Sequence, residues 1–409
     1  MHPTDQREFA VWIAGRLREH GHIAYLAGGC VRDRLLGLEP ADYDVATDAR
    51  PDRIKELFRS AIGVGESFGV VLVRRGDLVT EVATFRSDGV YTDGRHPDSV
   101  DFGDEREDAA RRDFTINAIF EDPLDGRLID HFSGRVDLEA RVLRAVGDPD
   151  QRLDEDRLRV LRAIRFAARF DLEIEPGTSE AITRHASLLG SVSRERIGME
   201  LRKMLADPGR ARAVELLQEF RIDVQVLGDR RSVGGTSRLI EQLPREMLDP
   251  IDALAAWLLD RGDACTPGAI EQVTGNLLLS NNESKQLAGT LLVHRRSLDE
   301  WDRLGIAGRK RLASDPRFTS AQFLLGFHDP RRADSIARDL AVLERTGLAP
   351  EPLLDGETLI TAGLTPGPAF RRILDEVYDA QLEQGLHTSE EALERALQIA
   401  RRIESEESR

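Results

Sequence analysis

Two aspartates one residue apart, Asp42 and Asp44 in the stretch ADYDVAT, are the first residues whose spacing indicates chemistry. Side chains of a β-strand alternate between faces, so residues i and i+2 point the same way. In a strand these two carboxylates would lie side by side and repel each other unless they share a proton or a cation. Oxygen ligands alone suit a hard ion such as Mg²⁺. The alternative interpretation is an Asx turn at the entrance of a strand.

Three neighbouring features favour a phosphate-binding metal site over a turn. Glu81, in the predicted strand TEVATFR, supplies a third carboxylate. Gly28 and Gly29 precede a predicted helix start, where bare backbone N–H groups can approach a phosphate. Arg32 falls in the first turn of that helix, within reach of a triphosphate. This ordered set indicates two-metal phosphoryl transfer, in which one ion activates an attacking hydroxyl and the other stabilises the leaving phosphates.

The elements that must position these residues form an α/β unit of roughly 140 residues. Strands are predicted at HIAYLAGG, at ADYDVAT and twice within GVVLVRRGDLVTEVATFR. Helices are predicted over residues 1–20, at CVRDRLLG, at DARPDRIKELFR and at DAARRDFTINAIF. After Pro149 the periodicity is helical, as in EDRLRVLRAIRFAARF. The predicted fold class is α+β, an N-terminal α/β head with a small mixed sheet followed by an all-helical remainder.

Composition excludes several classes of protein. A chain of 409 residues exceeds one ordinary core, so we expect two to four domains. The net charge of −16 argues against nucleic-acid binding over the whole surface, although the arginine-rich segment 141–169 can still form one basic groove. Cys30 and Cys265 are too few for a disulfide framework or a zinc quartet. Without a signal pattern or an apolar run of roughly 20 residues, we expect a cytoplasmic protein with no membrane contact.

The block EDRLR carries a second possible site, formed by Asp156 and Arg159. Three residues apart on a predicted helix, these side chains share a face. A carboxylate only accepts hydrogen bonds and a guanidinium only donates them, so the pair suits the amino donor and ring-nitrogen acceptor of cytosine and adenine. Arg162 and Arg165 continue the row and are candidates for binding nucleotide or primer phosphates, or for holding the Asp156–Arg159 pair in place. The alternative is a surface ion pair worth a few tenths of a kcal/mol.

The stretch LAGGCVRDRLLGLEPADYDVATD resembles the signature of class II nucleotidyltransferases, the group of tRNA CCA-adding enzymes and bacterial poly(A) polymerases. Further blocks follow in the family's order over roughly the first half of the chain: RRDFTINAIF (111–120), LIDHFSGRVDLEARVLRAVGDP (128–149), EDRLRVLRAIRFAARF (155–170) and SRERIGMELRKML (193–205). The resemblance implies that Asp42 and Asp44 carry the metals, with Glu81 as third carboxylate. It also implies that Gly29 and Arg32 contact the nucleotide phosphates and that Asp156 and Arg159 select the base.

The resemblance assigns roles to the RRD block as well. Arg112 and Asp113 are implied to face the ribose and phosphates, and Asn117 adds a polar group four residues on, on the same predicted helix face. Without the resemblance, Arg112 and Asp113 are better interpreted as a charge pair at a helix N-terminus.

Four activities share these blocks: adding CCA, adding CC only, adding A only, and adding long poly(A). The loop RSDGVYTDGRHPDSV is similar to that of CCA-adding enzymes, although His96 stands where the family usually has Arg. No basic, Phe-containing block typical of bacterial poly(A) polymerases precedes the third-carboxylate strand. We therefore expect an enzyme that uses CTP, ATP and Mg²⁺ to add C, C and A to the tRNA 3′ end. The alternatives are a CC-adding or A-adding enzyme and a bacterial poly(A) polymerase.

Two other classes of protein fit the sequence less well. A catalytically inactive tRNA-binding module should have lost one of Asp42, Asp44 or Glu81, and all three are present. A DxD glycosyltransferase needs alternating βα units, which the helical second half lacks. The HD dipeptide at residues 328–329 has no companion metal pattern. The expected organisation is a head over 1–143, a nucleotide-selecting neck over 144–206, and a body and tail over 207–409 that bind tRNA by shape and phosphates.

Overall fold

The computed structural model of this protein divides into two compact units. The described residues are 4–65, 68–89, 99–228, 238–244, 246, 249–262 and 266–407. The first unit comprises Met1–Thr236, Arg245–Pro250 and Gly275–Leu278, and the second comprises Ser237–Pro244, Ile251–Thr274 and Leu279–Arg409. Every predicted site residue belongs to the first unit.

A seven-stranded mixed sheet organises the first unit. Its strands are β1 (Ala24–Ala27), β2 (Asp44–Thr47), β3 (Ala61–Gly65), β4 (Val70–Arg75), β5 (Leu78–Thr84), β8 (Ile119–Glu121) and β9 (Leu128–Asp130), in the order β3-β4-β5-β2-β1-β8-β9. Only β2 and β5 run parallel within this sheet, among the described residues. Two-stranded pairs are formed by β6 (Arg86–Asp88) with β7 (Val100–Phe102) and by β10 (Val142–Leu143) with β11 (Glu173–Ile174).

The helices of the first unit surround and extend this sheet. The helix α1 (Gln6–Glu19) buries the stripe of Phe9, Ile13 and Leu17, and Asp5 caps its N-terminus by accepting from the Glu8 N–H at 2.8 Å. The others are α2 (Gly29–Leu35), α3 (Pro51–Leu57), α4 (Glu105–Ala110), α5 (Gly134–Glu139), α6 (Pro149–Glu155), α7 (Arg159–Phe170), α8 (Pro176–His185), α9 (Arg194–Leu205), α10 (Arg210–Glu219) and α11 (Ile222–Leu227).

The remaining described elements are all helical. They are α12 (Arg238–Gln242), α13 (Pro250–Asp260), α14 (Pro267–Leu277), α15 (Asn281–Asp299), α16 (Ile306–Ala313), α17 (Phe318–His328), α18 (Pro330–Leu343), α19 (Gly356–Thr361), α20 (Pro368–Leu382) and α21 (Ser389–Glu407). One apolar core of the second unit lies around Trp301, Phe318 and Ile336, and another lies around Leu359, Val377 and Ile399. The predicted α+β class is therefore confirmed. Within the described ranges, no helix has both the length and the apolar character needed to span a bilayer.

Two local predictions are wrong. The segment DAARRDFTINAIF was predicted as one helix, but α4 ends at Ala110 and is followed by a 3₁₀ turn (Thr115–Asn117) and then by β8. Tertiary contacts override the helical spacing here, because Phe114 forms an antiparallel bridge with Ala145 and the Thr115 N–H donates to the Arg144 carbonyl at 3.0 Å. The block EDRLR was likewise predicted to be continuous helix, but α6 ends before Asp156, whose backbone is extended at φ −145°.

Candidate active site

The register of the central strands brings the predicted carboxylates together. Ala27, the last residue of β1, pairs with Asp44, the first of β2, so Gly28 follows directly beside Asp44. In the parallel pairing of β2 with β5, Val45 is opposite Val82, which places Asp44 and Glu81 at adjoining positions of neighbouring strands. The structure therefore joins these residues as predicted, although Asp42 lies just before β2 rather than within it.

These carboxylates have raised pKa values because they are desolvated and close to one another. Burial, then Glu81, then Asp42 raise the pKa of Asp44 to about 7, and Arg112 only partly opposes the shift. The Glu81 side chain lines the cavity, and its pKa is also raised, first by desolvation and then by the charge of Asp42. The site thus concentrates negative charge that a cation would stabilise.

The donor set fits a divalent cation that completes its coordination with substrate. Among the described residues, no group of three or more His, Cys, Asp or Glu side chains is arranged to hold a metal ion. Two carboxylates plus substrate phosphates are the usual Mg²⁺ arrangement in phosphoryl-transfer sites, and Asp42 and Asp44 provide such a pair. Their mutual repulsion with Glu81 is the observation that supports this fit.

The backbone at Gly28 and the Arg112 side chain form an adjoining wall. Gly28 has φ +70°, and a Cβ at this position would lie 2.7 Å from Arg112 Nη1, so a side chain here would be strained and would displace the guanidinium. Arg112 also donates through Nη2 to Asp108 Oδ2 at 3.0 Å and through Nη1 to the Asn117 carbonyl at 3.0 Å. The Arg112 guanidinium is thereby held against the bare backbone.

Arg32 is a buried cation with a fixed orientation. Its Nη1 donates to Asn117 Oδ1 at 2.5 Å, and its Nε and Nη2 donate to Asp33 Oδ1 at 2.8 and 2.6 Å. Burial lowers its pKa and the neighbouring Asp33 opposes that shift. Asp33 was not predicted as part of the site, although its position beside Arg32 in the sequence was a signal that could have identified it.

Asp113 is ion-paired inside the protein, unlike the carboxylates on β2 and β5. Its Oδ2 accepts from Arg162 Nε at 2.8 Å, and its Oδ1 accepts from Asn117 Nδ2 at 2.9 Å. Burial alone would raise the pKa of Asp113, but the Arg162 guanidinium and the bond from Asn117 hold it well below its usual range. Asp113 and Asn117 thus meet as predicted, across a 3₁₀ turn rather than on a helix face.

Asp156 and Arg159 line the same cavity, where the Arg159 N–H donates to the Asp156 carbonyl at 2.9 Å, but no described bond joins their side chains. Asp156 Oδ2 accepts from Arg196 Nη2 at 2.7 Å, an interaction with α9 that the sequence did not reveal. Arg159 donates through Nη1 to Glu155 Oε2 at 2.6 Å and through Nη2 to the Arg111 carbonyl at 3.1 Å. The structure thus replaces the i,i+3 helix pair with two side chains that are held separately.

One cavity of about 580 Å³ collects all the predicted site residues. Arg165, part of the lining, donates through Nε to Glu200 Oε2 at 2.7 Å. The lining also contains six residues that were not predicted, among them the charged Arg111 and the aromatic Phe166. His96 lies outside the described residues. The predicted residues around the cavity are Gly28, Gly29, Arg32, Asp42, Asp44, Glu81, Arg112, Asp113, Asn117, Asp156, Arg159, Arg162 and Arg165.

Two family models match the first unit. Residues 24–144 match the model described as "Poly A polymerase head domain", and residues 171–227 match "Probable RNA and SrmB- binding site of polymerase A". The first match contains Asp42, Asp44, Glu81 and the Arg112–Asn117 segment. The helix α7, which carries Arg159, Arg162 and Arg165, lies between the two matches.

Curated proteins and solved structures give a more specific likeness. A CCA-adding enzyme of Limosilactobacillus fermentum is 32% identical over 400 residues, spanning 92% of this chain and 94% of the relative. A CCA-adding enzyme of Geobacillus stearothermophilus is 42% identical over 220 residues, which is 54% of each chain. The crystal structure of Bacillus stearothermophilus CCA-adding enzyme in complex with CTP superposes with a TM-score of 0.76 at 27% identity, covering 100% of both chains.

Proposed function

The chain belongs to the family of CCA-adding enzymes, which are nucleotidyltransferases, and on that premise we propose that it adds C, C and A to the 3′ end of tRNA. CTP and ATP are the substrates, no nucleic-acid template is used, and pyrophosphate is released. The observation that carries the proposal is that nucleotide-binding, catalytic and base-selecting residues predicted from separate blocks line one cavity. We also propose a cytoplasmic location, where tRNA and both nucleotides are available together.

In the proposed reaction the tRNA 3′-hydroxyl oxygen attacks the α-phosphorus of the nucleotide. The new O3′–Pα bond forms as the bond to the β-phosphate oxygen breaks and pyrophosphate leaves. Asp42 and Asp44 would hold Mg²⁺, which when bound activates the hydroxyl and neutralises charge on the phosphates. Glu81 completes the negative wall that attracts this cation.

The rest of the cavity binds and orients the nucleotide. The bare backbone at Gly28 and Gly29 lets phosphate oxygens approach closely, because no side chain intervenes. Arg32 presents a buried positive charge to the same region, and Arg112 lies against Gly28. Asp113 holds Arg162 by a bond of 2.8 Å, which supports a role for that carboxylate in positioning a phosphate-binding cation.

Base selection is assigned to Asp156 and Arg159. Arg196 Nη2 donates to Asp156 Oδ2 at 2.7 Å, which orients a carboxylate, the type of acceptor that the amino groups of cytosine and adenine require. A carboxylate has about four lone-pair sites and a guanidinium five N–H groups, so the contacts described for both side chains leave capacity for a base edge. Uracil and guanine would set a carbonyl against Asp156 and an N–H against Arg159, leaving polar groups unpaired.

The proposal is tested by nucleotide addition with Mg²⁺ and one labelled nucleoside triphosphate at a time. The acceptors are three forms of one tRNA, ending before CCA, after CC and after CCA. We expect C on the first, A on the second and nothing on the third. Replacement of Mg²⁺ by a chelator should abolish each addition.

Other outcomes would assign a different activity. Addition of A alone to CC ends, or of C alone to bare ends, would make this a split-activity enzyme with a second enzyme completing the terminus. A long A tail would instead identify a poly(A) polymerase. Absence of any addition, with intact binding of tRNA, would favour an inactive tRNA-binding module.

A further inference from the structure

Two aromatic rings of α7 lie next to arginines of the cavity. Phe166 and Phe170 are four residues apart on the helix and stack with their centroids 6.0 Å apart and their planes at 14°. Phe114, from the segment that carries Asp113, meets Phe166 edge-on at 5.9 Å. Both rings are buried, at 4% and 3% exposure, and Phe166 also lines the cavity.

The cavity arginines lie over these rings. The guanidinium carbon of Arg165 is 4.2 Å from the Phe166 centroid, that of Arg32 is 5.0 Å away and that of Arg162 is 5.2 Å away. Arg32 also lies 4.4 Å from the centroid of Phe170. Distances below about 6 Å are those of cation–π attraction, which strengthens when both groups are removed from water.

Each of these arginines also has a carboxylate or amide partner. Arg165 donates to Glu200 and Arg162 donates to Asp113, and all five N–H groups of a guanidinium lie in its plane. The Phe166 ring adds an attraction that uses none of these donors, because its centroid lies within about 6 Å of all three guanidinium carbons. Ring and hydrogen bonds together hold each arginine in place while leaving donors free for a ligand.

This geometry also addresses the repulsion between neighbouring cations. Arg162 and Arg165 share one helix face at spacing three, and the pKa of Arg165 is lowered first by burial and further by the charge of Arg162, against the opposing influence of Glu200. An aromatic face attracts cations without carrying a net charge, so it holds arginines together while their positive field remains available to an anion. Additional carboxylates would hold them too, but would cancel that field.

We propose that Phe166, supported by Phe170, is a positioning residue for nucleotide binding: its electron-rich face orients Arg32, Arg162 and Arg165 toward the nucleotide phosphates. The inference rests on the proposed function and extends it to Phe166 and Phe170, which are not among the predicted site residues. It predicts that nucleotide affinity depends on the electron density of the Phe166 ring as well as on its volume.

The test keeps the shape of the ring and changes only its electronic character. Phenylalanine bearing one, two and three fluorine atoms is introduced at position 166 of the full chain, since fluorination progressively weakens the attraction of the ring face for cations. We expect the KM for both CTP and ATP to rise stepwise, by about 10-fold over the series, with a smaller change in kcat. The melting temperature should change little, because the ring volume is nearly preserved.

A matched control separates this effect from aromatic packing in general. Phe318, in the second unit, is buried at 7% exposure and packs on Trp301 at 6.1 Å between centroids. The same fluorinated series at position 318 should leave both KM values unchanged. Phe166→Leu provides a second comparison, because it removes the aromatic face altogether. If this variant remains folded, its KM for CTP and ATP should rise as in the fluorinated series at position 166.

Two results would overturn the inference. One is a KM that stays constant over the fluorinated series at position 166 while the unsubstituted protein adds nucleotides normally. The other is an equal rise in KM for the series at position 318. Failure of the unsubstituted protein to add any nucleotide would instead overturn the proposed function, so the two failures are distinguishable.

Discussion

Buried carboxyl groups in two parts of one cavity have pKa values shifted in opposite directions. On the carboxylate wall (Asp42, Asp44 and Glu81), burial and mutual repulsion raise the pKa of Asp44 to about 7. On the arginine wall (Arg32, Arg162 and Arg165, with Asp113), the Asp113 carboxyl group is also buried, but the nearby Arg162 holds its pKa well below the usual range. Desolvation is the first influence in both places, and the sign of the neighbouring charge decides the outcome.

The comparison indicates different roles for these carboxylates. Asp113 already has its countercharge within the protein, so it stabilises the fold and positions Arg162. The charges of Glu81 and Asp42 act on Asp44 with partial opposition from Arg112, so a bound cation would supply its countercharge. The raised pKa of Asp44 supports the proposed cation site, whereas the lowered pKa of Asp113 follows from a countercharge within the protein.

The largest expected effect comes from removing a carboxylate of the first wall. Asp42→Ala should lower kcat/KM on the order of 1,000-fold, because one proposed metal ligand is lost. The melting temperature should hardly change, since Asp42 is exposed. Asp52→Ala, at a head aspartate whose side chain is 91% exposed, is the control and should retain full activity. A normal rate in Asp42→Ala would refute the metal assignment.

Removing the ion pair between Asp113 and Arg162 should affect stability as well as activity. Asp113→Asn preserves the shape of the side chain but leaves Arg162 without its carboxylate, so the free energy of unfolding should fall by about 2–3 kcal/mol. Denaturant titration measures this change. The control is Asp150→Asn, which removes a half-exposed partner of Arg184 and should cost much less than Asp113→Asn, because solvent screens the pair. Equal losses in both variants would contradict the contrast between the walls.

A smaller effect is expected at Asp156, which is proposed to select the base. Asp156→Ala should raise incorporation of UTP relative to CTP by roughly 10-fold, because the acceptor that disfavours a carbonyl is gone. Competition assays with the two nucleotides measure the ratio, and filter binding measures tRNA affinity, which should change less. Unchanged selectivity would remove Asp156 from the proposed selection mechanism.

The smallest expected effect is a change in the free energy of unfolding at Asp44, and its sign distinguishes Asp44 from Asp113. With divalent ions chelated, Asp44→Asn should increase the free energy of unfolding by about 1 kcal/mol, because it relieves repulsion with Glu81 and Asp42. The same variant should lose nucleotide addition when Mg²⁺ is restored. Thermal unfolding in the presence of chelator compares Asp44→Asn with Asp113→Asn. The melting temperature should rise in the first variant and fall in the second, although both replace Asp by Asn. A destabilised Asp44→Asn would show that this carboxylate has a countercharge within the protein.

Much of the fold and site could be predicted because the relevant signals are local. The strands around Ala24–Ala27 and Asp44–Thr47 and the helix starting at Gly29 follow from apolar runs, glycines and a short polar turn. Where prediction failed, distant residues decided the backbone. The Thr115 N–H bonds to the Arg144 carbonyl, so the segment after Ala110 leaves the helix that its own spacing favours.

The sequence by itself determined which side chains are available for the chemistry, because motif residues and their order are properties of the chain. Only the tertiary structure decided what surrounds each of them. Asp113 meets Arg162 across 49 residues, and Asp156 meets Arg196 across 40. Charge interactions and ring stacking depend on distance and burial in space, which residue spacing along the chain does not specify. That is why Asp44 and Asp113, indistinguishable as residue types, acquire opposite properties.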